Sequence, residues 1–547
     1  MIRIIKWTLV AVLLLTSIFM LSEAEEMEFL HADGKTIVNE EGKEVRLRGV
    51  NIGGWLVQEA WMTLTNSASQ TEAFRVLDER FGVDTRKHLF EIYEDHYLSE
   101  SDFDNIHALG MNVVRIPFAW WNIMDENGNC YDDAFKRLDW AVEQCRARGM
   151  YVILDLHAAP ATQNGNDHSG DIAGISLWKS EEKQEQTVLL WKTVAEHYRD
   201  EPVIAGYDIM NEPAGEYNTT SVSQWELFDR IYRAIRNVDT NHIVIIESCW
   251  EPENLPAPSK YGWDNVVYEY HYYKWGADND YDAQKLFTRV KVQKQQKVNH
   301  PVPVFVGEFT LFQSMDAWRF ALSTYEDEGW SWTIWTYKVT GRSSWGLFNV
   351  LGEKADIYND SAEKIEKIWK QQGTLIRNDE LCGVVREILN VSSDVRDEKQ
   401  TNISGMSVVE FPVKDATALD GAEIHVTSDG IRLTVRKSGD PGEETNGFCV
   451  KMQENTDVSA NQYLSFFMKD MQGSNTHRVT MTDADGKVCS VWVDISSVYE
   501  KWVRIDMPLS MMDGIDLTRV TEVRIGEWNS GSYEFGRIFC CVSAADE

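Results

Sequence analysis

The chain has 547 residues, with 53 Lys and Arg against 87 Asp and Glu, a formal net charge of −34. That balance excludes nucleic acid and an anionic membrane surface as partners, because both are recognised by clustered Lys and Arg, and it leaves a neutral substrate as the expectation. With 43% hydrophobic residues and 21 Trp the chain is not disordered, and its length calls for two or three domains.

Residues 1–24 read as a secretory signal peptide. Arg3 and Lys6 precede the apolar run Trp7 to Leu21, and Ser22-Glu23-Ala24 places small residues for cleavage before Glu25. The run is shorter than the ~20 residues a membrane span needs. The mature protein is expected to be secreted, with no membrane partner after cleavage, and a monomer is the expectation for its assembly.

From residue 25 to 389, short β-rich runs alternate with helical stretches. The runs are Val45–Ile52, Met111–Pro117, Tyr151–His157, Val203–Asn211, His242–Glu247, Asn265–His271, Val304–Glu308 and Trp330–Trp335. Between them, Asp133–Arg148 carries Phe135, Leu138, Val142 and Cys145 at helical spacing, and Ser223–Asn237 carries Trp225, Phe228, Ile231, Tyr232 and Ile235. Near-continuous apolar strands alternating with helices indicate a parallel sheet buried on both faces. Eight units favour an α/β fold closed into a (β/α)₈ TIM barrel. No G-x-G-x-x-G or P-loop pattern supports a nucleotide site.

Residues 390–404 are polar and Pro-free and read as a linker. From 405 to 547 the period changes to two, in Ile431–Val435, Tyr463–Phe467, His477–Met481, Val491–Ile495, Trp502–Asp506 and Val523–Gly526, with turns at Asp485-Gly486 and Ser530-Gly531. This predicts an antiparallel β-sandwich, jelly-roll-like in character. Trp492, Trp502, Trp528 and Tyr533 are its candidate sugar-stacking residues, with core packing as the alternative. The eight Cys are thinly spread and lack metal-site spacing, so no metal is expected. Cys130–Cys145 is open between a local bridge and two free thiols, and adjacent Cys540 and Cys541 should face opposite sides of a strand.

A barrel of this kind carries its active site at the C-terminal ends of its strands. The polar residues there are Asn51, Glu59, Arg115, His157, Asn211, Glu212, Glu247, His271, Tyr273, Glu308 and Trp335. Glu212 ends the fourth run and Glu308 the seventh, on opposite sides of a barrel mouth. A carboxylate at the end of a buried strand is costly unless paired or used. Two facing carboxylates meet the requirement of glycoside hydrolysis, where ~5–5.5 Å separation permits a nucleophile and an acid/base. Structural salt bridges satisfy the same pattern, and Arg115 fits either reading.

The motifs Arg48-Gly-Val-Asn-Ile-Gly-Gly-Trp-Leu56, Val114-Arg-Ile-Pro-Phe-Ala-Trp-Trp121, Asp155-Leu-His-Ala-Ala-Pro-Ala-Thr-Gln-Asn-Gly165, Asn211-Glu-Pro213, His271-Tyr-Tyr273, Val306-Gly-Glu308 and the Trp330–Trp335 run occur in order at strand ends. In these the chain resembles glycoside hydrolase family 5 from about Glu44 to Val350, most closely its exo-β-1,3-glucanase type. The resemblance implies a retaining double displacement without cofactor, with Glu308 as nucleophile and Glu212 as acid/base. It implies that Arg115 and Tyr273 orient and keep Glu308 ionised, and that Asn211 contacts the sugar 2-hydroxyl. It further implies that His157 and His271 line the reacting subsite, that Trp335 stacks under the sugar, and that Glu59 fixes hydroxyls of the terminal sugar. The implied substrate is a β-glucan or β-glucoside.

Three departures leave exo against endo action open: Gln58 stands where an apolar residue is usual, Glu308 is followed by Phe309-Thr310, and Asn164–Gly174 matches only at first. Endo-β-1,4-glucanase action by the same mechanism is one alternative. A non-catalytic carbohydrate-binding barrel is another, though both carboxylates are retained. A metal-dependent barrel hydrolase is a third, though Asp155-Leu156-His157 lacks paired His spacing.

Overall fold

The computed structural model describes residues 27–172, 177–213, 222–248, 251–341, 343–391, 408–427, 430–439, 445–470, 475–495 and 503–541. Residues 1–24, nearly all of the expected linker, Cys249 and Trp502 lie outside them. Eight strands, β1 (Arg48–Asn51), β2 (Val113–Ala119), β3 (Tyr151–Ala158), β4 (Ile204–Asp208), β5 (Ile243–Glu247), β6 (Val266–Tyr273), β7 (Val304–Thr310) and β8 (Ser331–Ile334), form a closed barrel in chain order. Each of the eight runs read from the sequence overlaps one of them, with β2, β3, β6 and β7 extending one or two residues beyond the run, and the pairings are parallel throughout.

Alternation within the strands divides the barrel into layers. One set of side chains points outward into the helical shell, where Val114, Ile116, Val152, Leu154, Tyr268, Tyr270 and Val306 join one core. The opposite set points inward: Val113, Ile153, Ile243, Ile245, Val267 and Phe305 form a separate apolar floor with Leu30 and Ile37 of the N-terminal hairpin, His31–Asp33 and Thr36–Val38. Two residues further along each strand, the inward positions become Arg115, Asp155, Glu247 and Glu269, all fully buried. A dry apolar floor under a polar layer is what aims the chemistry at the open end.

The surrounding helices follow the expected periodicity. Lys136–Arg146 buries Leu138, Ala141, Val142 and Cys145, and Val222–Arg236 carries the buried Trp225, Phe228, Ile231, Tyr232 and Ile235. Ser180 caps Glu181–Tyr198 by accepting from the Lys183 N–H, and Ser314 caps Met315–Asp327 by accepting from Ala317. Gly49 in β1 lies so close to β2 that a Cβ there would sit 1.8 Å from the Val113 carbonyl oxygen; only glycine fits.

Past the barrel come β9 (Lys338–Thr340), β10 (Phe348–Leu351) and β11 (Thr374–Arg377), then a sandwich of β12 (Val409–Phe411), β13 (Thr417–Ala418), β14 (Ala422–Val426), β15 (Ile431–Val435), β16 (Gly447–Thr456), β17 (Tyr463–Asp470), β18 (Asn475–Asp483), β19 (Val488–Ile495), β20 (Val503–Pro508), β21 (Val520–Glu527) and β22 (Gly531–Cys541). One sheet runs β13-β16-β21-β18-β19, and the other β9-β10-β11-β20-β17-β22-β15-β14 with β12 on β22. Leu433, Val450, Phe466, Met481, Ile505, Ile525 and Phe535 share the core between them.

The second sheet crosses the boundary expected at residues 390–404. β11 pairs with β20 through Leu375↔Asp506 and Ile376↔Ile505, so barrel-side strands cover what would otherwise be an open sheet edge. The Ser101 hydroxyl, in the barrel helix Glu100–Ala108, adds a 3.1 Å hydrogen bond to the Gln462 side chain. Cys540 faces the sandwich core while Cys541 packs with Tyr463 and Phe539 on the other face. Cys130 is exposed and Cys145 buried, both as free thiols, which closes the question of a bridge between them. No helix among the described residues is long and apolar enough to cross a membrane.

Candidate active site

Two irregularities in strand pairing place site residues. β3 slips against β2 between Leu156 and Ala158, so His157 is the extra residue of a bulge. β7 slips against β6 at Gly307, which sets Glu308 opposite His271 where regular pairing would set it opposite Tyr272. A bulge re-aims the side chain beside it. Gly307 admits no substitute, since a Cβ would lie 1.5 Å from Glu269 Oε1; this is the physical content of Val306-Gly-Glu308. β4 ends at Asp208, four residues before Glu212, which sits in the following loop at φ +40°. That left-handed conformation is uncommon for a residue other than glycine and costs of order 1 kcal/mol or more. The Glu212 N–H is held by Glu247.

Arg115 is the hub beneath the site, fully buried, with all five N–H groups engaged. Nε donates to Asp208 Oδ2 at 2.9 Å, Nη2 to Asp208 Oδ2 at 2.6 Å and Asn211 Oδ1 at 2.9 Å, and Nη1 to Asn51 Oδ1 and Glu308 Oε1 at 3.0 Å each. Asp155 at 3.1 Å and Glu269 at 3.3 Å complete its shell. Burial pushes the Asp208 carboxyl up, and with Glu269 beside it the value reaches about 8 despite the guanidinium. Burial likewise raises Asp155 and Glu247.

The two carboxylates of interest meet at one imidazole. His271 Nδ1 lies 2.8 Å from Glu212 Oε1 and 3.4 Å from Glu308 Oε2, and an oxygen of each glutamate lies within 4.8 Å of the other. Tyr273 donates to Glu308 Oε2 at 2.8 Å. On the far oxygen of Glu212, His168 Nε2 stands 3.2 Å away. Burial disfavours a charged His271, but Glu247, Glu308 and the bond to Glu212 outweigh it and push the ring well above its usual value. Burial would raise Glu212, but His168 and His271 hold it well below the carboxylate range.

Above them opens a cavity of about 380 Å³ lined by Glu59, His157, Asn211, Glu212, Tyr273, Glu308 and Trp335, together with Trp61, Asp167, His168, Trp275 and Trp345. Arg115 and His271 lie beneath rather than in it. The His157 ring lies parallel to Trp335 at 5.3 Å, and its Nδ1 bonds Asp155 at 2.6 Å. Glu59 is buried, accepts from Trp61 Nε1 at 2.7 Å, and is pushed by that burial up to about 7. At the mouth, Trp275 and Trp61 are 60% and 40% exposed and both contact Trp345. Glu59–Asp167–His168 and Glu212–His271–Glu308 each gather ligand-type atoms; a guanidinium 3.0 Å from Glu308 opposes a cation in the second.

The structure thus gathers all nine expected site residues, Glu59, Arg115, His157, Asn211, Glu212, His271, Tyr273, Glu308 and Trp335, at one end of the barrel. Trp61, Asp167, His168, Trp275 and Trp345 were not foreseen. His168 lies in the Asn164–Gly174 stretch, where the motif match fades, and Trp345 beyond the last barrel strand. In the sandwich, Trp492 and Trp528 are 44% and 42% exposed with ring centroids 5.8 Å apart. Tyr533 is fully buried and bonds the Asn529 carbonyl, so it is a core residue and no platform.

The family profile described as cellulase (glycosyl hydrolase family 5) matches residues 38–341. A "Beta-xylosidase" of Phanerodontia chrysosporium is 29% identical over 345 residues, covering 58% of this chain and 72% of that protein. A "Probable glucan 1,3-beta-glucosidase A" of Emericella nidulans is 30% identical over 288 residues, covering 48% and 67%. The crystal structure of an endogalactoceramidase covers 91% of this chain and 100% of its own at 16% identity, with a TM-score of 0.46.

Proposed function

We propose, from the premise that this chain belongs to glycosyl hydrolase family 5, that it is a secreted, retaining, exo-acting β-glycosidase of small β-glucosides or β-glucan ends. The observation that carries the reading is the meeting of Glu212 and Glu308 at His271 Nδ1, with carboxylate oxygens within 4.8 Å. Retaining enzymes hold their carboxyls ~5–5.5 Å apart, whereas inverting ones need ~6.5–9.5 Å to admit a water.

In the first step Glu308 attacks the anomeric carbon as Glu212 delivers a proton to the leaving oxygen; the C–O bond to the aglycone breaks and a glycosyl ester forms. Glu212, now ionised, takes a proton from water, whose oxygen displaces Glu308 and restores it. Arg115 and Tyr273 each donate to one oxygen of Glu308, which orients the attacking lone pair. Asn211 gives its amide oxygen to Arg115, which leaves its NH₂ for the sugar 2-hydroxyl. Glu59, backed by Trp61, serves hydroxyls of the terminal sugar, and Trp335 stacks beneath the ring.

A cavity of about 380 Å³ is near the lower end of the ~300–1,000 Å³ span of small-ligand sites and favours one sugar and its leaving group over a long bound polymer. The exposed Trp275 and Trp61 at the mouth suit that leaving group. Proton NMR of the first sugar released from an aryl β-glucoside should show the β-anomer, and laminarin should yield glucose without intermediate oligosaccharides. An α-anomer rejects the mechanism; oligosaccharide products favour endo action. Relatives named for xylose and for 1,3-glucan make the aryl β-xyloside a necessary parallel substrate.

The sandwich is proposed to bind carbohydrate through the exposed Trp492–Trp528 pair. The intact chain should then adsorb to insoluble β-glucan and lose adsorption in Trp492→Ala; equal adsorption of both leaves the sandwich a structural part. Export with removal of residues 1–24 belongs to the same proposal.

A further inference from the structure

We propose that His168, together with Asn164, is a positioning residue that supplies Glu212 with the proton it gives to the leaving group, an inference that rests on the acid/base role proposed above for Glu212. His168 lies in the short 3-10 turn Asp167–Ser169. Two groups converge on its Nε2: Glu212 Oε2 at 3.2 Å and Asn164 Nδ2 at 2.8 Å. The Asn164 amide cannot turn its oxygen to the ring without loss. Its Oδ1 accepts from the Asn166 N–H at 2.9 Å, and its Nδ2 also donates to the Glu212 carbonyl at 3.1 Å.

A ring nitrogen carries either a proton or a lone pair. Protonated, Nε2 donates to the Glu212 carboxylate; deprotonated, it accepts from Asn164. Moving the proton from His168 to Glu212 therefore breaks the Nε2–H bond, forms an Oε2–H bond, and exposes a lone pair that Asn164 stands ready to fill. Once the proton has moved, the lone pair it leaves on Nε2 is taken up by the Asn164 N–H.

The surroundings keep the shared proton present. Glu59 and Asp167 each offer an oxygen within 4.8 Å of a His168 ring nitrogen, Glu212 faces Nε2, Glu308 lies across the cavity, and the His157 ring is 6.1 Å away. Burial favours the neutral ring, but Glu212, Glu59 and Glu308 outweigh it and push His168 up to about 9. At rest the proton stays on His168 while Glu212 is ionised. As pH rises through the value of the pair the proton is lost, and acid catalysis goes with it.

The test measures kcat/KM from pH 5 to 10 on 2,4-dinitrophenyl and methyl β-glucosides for the wild type, His168→Gln and Asn164→Ala. The first substrate needs no proton on its leaving group; the second does. In His168→Gln the alkaline limb should move at least about one pH unit lower, and the loss on the methyl glucoside should exceed that on the dinitrophenyl glucoside at least tenfold, within the ~10²–10⁴-fold reach of general acid catalysis. Asn164→Ala should show the same bias, threefold or more, without lowering the limb. Equal losses on both substrates with an unmoved or raised limb overturn the inference while leaving the proposed function standing. A wild type inactive on every β-glucoside and β-xyloside overturns the function, and this inference with it.

Discussion

Glu308→Ala is expected to lower turnover of an aryl β-glucoside by roughly 10⁴-fold or more, as removal of a covalent nucleophile does elsewhere, with the far-UV circular dichroism unchanged. The fold should survive because Arg115 keeps its bonds to Asp208, Asn51 and Asn211 when Glu308 is gone. Azide added to this variant enters the space the carboxylate leaves and attacks the anomeric carbon from the same side. An α-glycosyl azide is the expected product, formed as the aryl leaving group departs. Near-full activity, or a β-glycosyl azide, would take the nucleophile role away from Glu308.

Arg115→Met should be the most damaging single change to stability, by about 3–5 kcal/mol, because it removes one partner of a fully buried ion cluster. Asp155, Asp208, Glu269 and Glu308 all lie within 3.3 Å of this guanidinium. The loss should depend on pH with a definite sign. Without the cation, buried carboxyls such as Asp208, already at about 8, rise further and hold protons the unfolded chain has released, so stability falls as pH rises. Urea unfolding at pH 5 and pH 8.5 should show the larger deficit at pH 8.5. Arg115→Lys should recover part of the stability and little turnover, since an ammonium cannot fork to Glu308, Asn51 and Asn211 together. A deficit under about 1 kcal/mol at both pH values would mean the cluster is not held as described.

Why some of this could be read from the chain follows from the range of each interaction. Strand and helix periodicity are local properties, so eight apolar runs and the helical stretches between them were enough to expect a barrel, and a change to period two was enough to expect a sandwich. Glu212 and Glu308 were visible because a carboxylate ending a buried run is anomalous within a few residues. Arg115 was visible too, though its five hydrogen bonds were not: they reach Asn51, Asp208, Asn211 and Glu308, which are 64 to 193 positions distant.

By itself, then, the sequence determined the strand count of the barrel, the order of the two folds and the pair of acids at the ends of its fourth and seventh runs. Tertiary structure alone decided the rest. The slips at His157 and Gly307 exist only in the pairing of β3 with β2 and of β7 with β6, and a Cβ at Gly307 would meet Glu269 of the neighbouring strand. His168 entered the site because its turn folds back over the loop after β4, and β11 joined a sandwich sheet by pairing with β20. These are contacts between distant segments whose partners are known only once the chain has closed, and hydrophobic periodicity carries no record of them.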